Sequence, residues 1–214
     1  MSSLVSIKDL SYKYPMGGEI FESTNFNISK GEFNVLLGKN GCGKSTLIHL
    51  LLGHRTPTQG EIKVLGLNPK NNKIEVRKNL YFMSHLINYD KNASIHFILN
   101  LYKLLYPGYS LEKEEKLLDL FELSRSTCVS ELSLGQACRI QLVAGVSSNA
   151  ELLLIDEVTA VLDPLCRKDF TNVLIEEARE GRGILMATNI PDESEINADN
   201  VYCVKNKEIK TYEP

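Results

Sequence analysis

No stretch of the 214-residue chain is apolar for long enough to cross a bilayer, and its N-terminus lacks the hydrophobic core of a signal peptide. Any membrane role is therefore expected to come through a separate partner chain. An excess of basic charge is missing too. The formal net charge is -3, with acidic and basic side chains interleaved, so nucleic acid finds no electrostatic footprint and is not an expected partner. The five cysteines (Cys42, Cys128, Cys138, Cys166 and Cys203) form no C-x-x-C pair and no ligand-like spacing with a histidine. Their scatter argues against a disulfide framework or a zinc site, and for free, mostly buried thiols in a reducing compartment. There is no internal repeat and no low-complexity tract. The length suits one well-buried core with at most a small appendage.

What is present centres on Gly38-Lys39-Asn40-Gly41-Cys42-Gly43-Lys44-Ser45-Thr46, a complete G-x-x-x-x-G-K-[ST] motif. Phe33 to Leu37 reads as a buried strand leading in. Leu47 to Leu52 reads as a helix leading out, with Gly53 as its stop. A strand, a glycine-rich loop and a helix N-terminus make a phosphate cradle, because backbone N–H groups converge and the helix dipole favours anions. Lys44 adds a full positive charge for the β- and γ-phosphates, and the Ser45 hydroxyl can ligate Mg²⁺. A chance glycine-rich turn would lack this flanking strand and helix. The expected ligand is a nucleoside triphosphate. Cys42 lies inside the loop at the helix N-terminus, where a lowered thiol pKa would make it a target for alkylation or oxidation.

Along the rest of the chain, Val5-Ser6-Ile7 and Phe26-Asn27-Ile28 alternate as strands around the turn cluster Pro15 to Gly18. A short strand is expected from Glu61 to Leu65, a polar loop from Asn68 to Lys73, and a buried strand at Leu80 to Met83. From Ile87 to Ser130 the pattern turns helical. Ser94 to Tyr106 carries Ile95, Ile98, Leu99, Tyr102 and Leu105 on one face, and Ser110 caps a second helix with Leu111, Leu118 and Phe121 on its buried face. A helix from near Gln136, the strand Leu152 to Ile155, a helix from Leu165 to Glu180, the strand Ile184 to Ala187 and two final strands, Val201–Val204 and Glu208–Tyr212, complete the reading. Alternating helices and continuously apolar strands predict a largely parallel sheet covered on both faces.

Leu152-Leu153-Leu154-Ile155-Asp156-Glu157 is a hydrophobic strand ending in two carboxylates. At that strand end Asp156 can hold Mg²⁺ directly or through water, while Glu157 points elsewhere and can polarise a water for attack on the γ-phosphate. An ordinary strand followed by a solvated acidic turn has the same look, and the upstream phosphate loop decides between them.

With Leu132-Ser133-Leu134-Gly135-Gln136 in place, the chain resembles the nucleotide-binding subunit of ATP-binding cassette (ABC) transporters over essentially its whole length. That segment is similar to the family's signature loop, LSGGQ, and the order of phosphate loop, helical stretch, signature and acidic strand end also matches. The resemblance implies an α/β fold: the P-loop NTPase core of the ABC ATPase type, with an N-terminal antiparallel β subdomain and a small helical insert. Within a single 1–214 domain it divides the chain into 1–86, an insert at 87–135, and 136–214. It implies ATP and Mg²⁺ as cofactors, and a second nucleotide-binding subunit facing the first across two ATP molecules. Ser133, Gly135 and the helix at Gln136 would meet the γ-phosphate held by that partner. Asp163, in the run Asp156 to Pro164, would lie at the dimer contact, and Tyr14 stands where the family stacks an aromatic on adenine; a plain core tyrosine is the alternative. An integral membrane permease would anchor the subunit peripherally on the cytoplasmic face.

Three positions depart from the family pattern. Leu134 replaces a signature glycine. His85 stands where a glutamine that meets the Mg²⁺ shell is expected, and imidazole is shorter and titrates; a surface histidine in a slipped register is the other reading. Asn189 stands at the switch-histidine position, where an amide can donate to the γ-phosphate but cannot carry charge or shuttle a proton. Two functions follow. One is an ATPase motor, with Lys44, Glu157, His85 and Asn189 in the catalytic machinery and Ser45, Asp156 and His85 at the metal. The other is an ATP-gated regulatory module with weak or no hydrolysis. A soluble repair or translation protein of the same family ranks last, since twin cassettes and a basic surface are missing. Tyr106-Pro107-Gly108-Tyr109 and Leu117 to Leu123 look like exporters of the antibiotic-resistance type.

Overall fold

The alternation in the first thirty residues becomes an antiparallel hairpin in the computed structural model, which describes residues 3–84, 86, 89–190 and 197–212. β1 (Ser3–Lys13) pairs with β2 (Glu19–Ser29) on one side and with β4 (Gln59–Val64) on the other, giving a three-stranded sheet. Val5, Ile7, Leu10 and Tyr12 all point into the core. Strict alternation would break between Ile7 and Leu10. A bulge there, with Asp9 at φ 48°, supplies the extra residue that keeps both pairs inward.

The second sheet has six strands. Its order is β5 (Leu80–Ser84), β6 (Leu152–Asp156), β7 (Gly183–Thr188), β3 (Phe33–Leu37), β8 (Asn200–Lys205) and β9 (Glu208–Thr211). All neighbours are parallel except the β8–β9 pair. Each central strand is apolar on both faces, as its sequence predicts. Val35, Leu153, Ile155, Ile184 and Met186 enter one core; Leu36, Leu152, Leu154, Leu185 and Ala187 enter the other. Burying one such side chain stabilises the fold by roughly 1.5–3 kcal/mol; the polar exception inside β3, Asn34, is buried with its Oδ1 accepting from Asn200. The second core also holds α1 (Lys44–Leu51) and the three-stranded sheet; the first holds α5 (Leu134–Ser147) and α6 (Pro164–Arg179).

Between β5 and α5 lie α3 (Ile95–Leu105) and α4 (Leu111–Leu120), capped as expected by Ser94 and Ser110. Three details correct the sequence reading. A short helix, α2 (Lys73–Lys78), follows the polar loop, because tertiary packing of Val76 stabilises a segment with little periodicity. Leu105 and Leu111 are exposed, at 66% and 46%, since each sits at a helix end beyond the reach of the facing element. Leu118 and Phe121 are buried as expected, and Glu114 and Leu117 join them in place of Leu111. Glu114 is tolerated there because Arg125 pairs with it and the Tyr109 hydroxyl donates to it. The thiols also differ from expectation. All five are free, but only Cys138 is fully buried, and burial pushes its pKa up to about 11.

Polar contacts fasten α4 to the core. Lys113 Nζ contacts Glu177 on α6 at 2.9 Å and Glu180, the residue just after that helix, at 2.6 Å, and Glu177 in turn pairs with Arg182 at 3.0 Å. Arg182 donates to the carbonyls of Gly145 and Val146, satisfying the C-terminal end of α5.

At Gly145, α5 lies close against the sheet. A Cβ added there would lie 2.8 Å from Tyr81 Cδ1 on β5. Gly145→Val is expected to destabilise the protein by about 1–3 kcal/mol, read as a lower denaturation midpoint; an unchanged midpoint would show that this helix is not seated on Tyr81.

Candidate functional site

Parallel register sets the site. Leu37 pairs with Thr188 and Asp156 with Ala187, so the C-terminal ends of β3, β7 and β6 share one sheet edge, where α/β sheets place their ligands. The Gly38 N–H donates to the Thr188 carbonyl at 3.2 Å, and the Glu157 N–H to the Ala187 carbonyl at 2.9 Å. The phosphate loop and the acidic strand end are thereby tied to the same central strand.

At the loop's end, Gly43 adopts φ 117°, and a Cβ there would come within 2.7 Å of Ile20 Cγ2. Only glycine fits. α1 begins at the next residue with no side-chain cap, whereas Ser94, Ser110, Ser133 and Asp163 cap α3, α4, α5 and α6. Among the described residues the N-terminus of α1 thus has no side-chain cap, which suits an anion. The Lys44 ammonium is buried and gripped by three oxygens: Gly38 O at 2.8 Å, Lys39 O at 3.2 Å and Glu157 Oε1 at 3.1 Å. Glu157, held at φ 55°, therefore points to the lysine rather than away from the loop. The Ser45 hydroxyl donates to Asp156 Oδ1 at 3.1 Å.

Tyr14, Ile20, Gly41, Gly43, Lys44, Ser45, Thr46 and Glu157 enclose a cavity of about 240 Å³. Tyr14, at the end of the hairpin strand, bonds through its hydroxyl to Thr46 Oγ1 at 2.9 Å, and the Arg55 guanidinium lies over its ring. Ile20 and Arg55 escaped the sequence reading, since neither a strand residue nor a loop arginine carries a local signal. Among the described residues no cluster of His, Cys, Asp and Glu could hold a metal alone. That is compatible with Mg²⁺, which is commonly bound through one or two carboxylates with phosphate oxygens and water completing its shell. The Ser45–Asp156 pair fits such a partial set.

The remaining expected residues divide. Asn189 follows β7, and its Nδ2 donates to Asn40 Oδ1 in the phosphate loop at 2.8 Å; its own Oδ1 is buried without a hydrogen-bond partner among the described residues. His85 lies outside the described residues. The residue before it, Ser84, is held at both backbone groups by the buried side chain of Gln141 on α5, with 3.1 and 2.7 Å bonds. Gln141 was not foreseen, because a glutamine inside a helix reads as solvated.

The signature segment is not part of its own chain's cavity. α5 begins two residues earlier than expected, at Leu134, so Leu134, Gly135 and Gln136 form its first turn. Ser133 is the cap. Its Oγ accepts from Gln136 N at 3.1 Å while Gln136 Oε1 accepts from Ser133 N at 3.0 Å. The serine proton remains able to donate outward. Ser133 and Leu134 are exposed, and a Cβ added at Gly135 would lie 3.7 Å from Leu162 Cδ2, just before Asp163.

Comparison with known proteins agrees with this arrangement. The model of the family described as ABC transporter matches residues 21–160. The energy-coupling factor transporter ATP-binding protein EcfA1 of Fusobacterium nucleatum is 29% identical over 216 residues, covering 97% of this chain and 81% of that protein. The probable multidrug ABC transporter ATP-binding protein YbhF of Escherichia coli is 28% identical over 90% of this chain, which spans only 34% of that longer protein. A solved structure titled as the ATP binding subunit of an ABC transporter superposes with a TM-score of 0.86 at 27% identity, over 97% of this chain and 90% of that one. With the motif order, the strand-edge cradle and the family match in agreement, the chain belongs to the ABC transporter family, as one of its ATP-binding subunits.

Proposed function

We propose that this subunit hydrolyses Mg·ATP and that two such cassettes close around the nucleotide to drive an integral membrane permease. The observation that carries the reading is the meeting of Lys44, Glu157, Ser45 and Asp156 at one sheet edge. The main-chain amides from Gly38 to Thr46 grip the triphosphate, and Lys44 exchanges its hold on Glu157 for the β- and γ-phosphates. Released from the lysine, Glu157 polarises the attacking water, while Ser45 and Asp156 hold the metal. Tyr14 offers its ring to adenine.

An exposed signature turn that lies off its own chain's cavity suits a role in trans. Ser133, Gly135 and Gln136 then meet the γ-phosphate held by a second nucleotide-binding subunit, with Asp163 at the contact. Among the described residues no helix is long and apolar enough to cross a membrane, so attachment to the cytoplasmic face runs through the permease. An apolar groove of about 560 Å³ beside α2, β5 and α3 suits such docking. Ile74 and Leu105 form exposed walls, and Arg77 and Lys78 make a cationic lip.

A second reading, an ATP-gated module with little turnover, draws on Asn189, whose amide is already bonded to Asn40 and carries no titratable proton. Phosphate release separates the two. Measurable turnover, alone or with the permease, supports the motor; none under either condition supports the module. In the motor, Glu157→Gln is expected to lower turnover by roughly 100-fold or more while Mg·ATP still binds. Wild-type turnover in that variant would remove Glu157 from the chemistry.

A further inference from the structure

Arg55 lies beyond the phosphate loop, past the C-terminal end of α1, and takes no part in the roles given above. Its side chain nevertheless reaches the edge of the cradle. The guanidinium carbon sits 4.6 Å from the centroid of the Tyr14 ring, within the range of a cation–π contact. Nη1 donates to the Tyr12 hydroxyl at 3.1 Å, and Tyr12 meets Tyr14 edge to face with centroids 5.2 Å apart. The Tyr14 hydroxyl is fixed separately by Thr46. One aromatic ring is therefore pinned by three groups from β1, α1 and the segment after α1. Arg55 Nε is buried with no acceptor among the described residues. An unsatisfied donor is destabilising, and a methionine would fill similar space without it. Packing alone does not account for an arginine here.

We propose that Arg55 is a positioning residue for the nucleotide base. It backs the Tyr14 ring together with Tyr12, so that adenine stacks on the ring face turned toward the cradle, in the order Arg55, Tyr14, base. Because the ring is immobilised before the ligand arrives, less side-chain freedom is lost on binding. With the cation over one π-face, the other is left to the base, beside the cavity that Tyr14 shares with Gly41, Gly43 and Thr46. This inference rests on the reading of Tyr14 as the base platform.

Calorimetric titration of two ligands tests it. Mg·ATP carries the base; magnesium tripolyphosphate carries only the anionic tail. Arg55→Met is expected to weaken Mg·ATP by roughly threefold to tenfold and to leave tripolyphosphate unchanged. Arg55→Lys, which keeps a cation over the ring, is expected to recover most of the loss. Equal weakening of both ligands, or unchanged Mg·ATP affinity in Arg55→Met, would overturn the proposal. Tyr14→Ala separates the two layers. If it leaves Mg·ATP affinity intact, the platform reading itself fails; if it weakens Mg·ATP while Arg55→Met does not, only the role of Arg55 fails.

Discussion

A buried ammonium group needs oxygen partners, and the Lys44 cradle exists because a parallel sheet supplies them at one edge. Desolvating an unpaired cation costs several kcal/mol. Here Gly38 and Lys39 offer carbonyls from the loop, and Glu157 offers its carboxylate from two strands away. That meeting depends on β3, β7 and β6 ending together, which depends in turn on their register. A slip of one residue would turn each strand's side chains to the opposite face and part Asp156 from Ser45. The apolar residues that enforce the register, such as Val35, Ile155 and Met186, are therefore as much a part of the site as the polar ones.

The same sheet explains how the surrounding pieces communicate. β5 lies at its edge, and Gln141 on α5 clamps Ser84 at both backbone groups just before His85. α5 carries the signature residues at its first turn and is closed at its far end by Arg182. One helix thus joins the exposed signature, the end of β5 and the core. α4 is bound to α6 through Lys113 and Glu177, and the helical segment also packs Ile95, Ile98, Leu99, Leu117 and Leu118 into the same apolar cluster as the sheet, so charge and packing fasten it together.

Local signals in the sequence were enough for the phosphate loop, the acidic strand end and most elements. Gly43 needs positive φ, Ser94 and Ser110 need only a neighbouring N–H, and central strands need only continuous apolarity. What stayed hidden is tertiary. Strand order, with β3 between β7 and β8, is not written in any one segment. Glu114 has the position of a first-turn acid that favours the helix dipole, yet Arg125 and Tyr109 make it a core residue. Leu105 reads as core, yet it stands exposed at the end of α3. The partners of Glu157, Asn189, Tyr14 and Arg55 come from elements far apart in the chain, so their chemistry was legible while their geometry was not.

The central claim is that the Lys44 ammonium and the loop amides together hold a magnesium-bound triphosphate. Titration of Mg·ATP into wild-type protein and into Lys44→Ala tests it most directly. The account predicts saturable binding by the wild type at or below millimolar nucleotide, and an affinity at least about tenfold weaker once the buried positive charge is removed. Equal affinity in the two proteins, or no binding by the wild type, would contradict it.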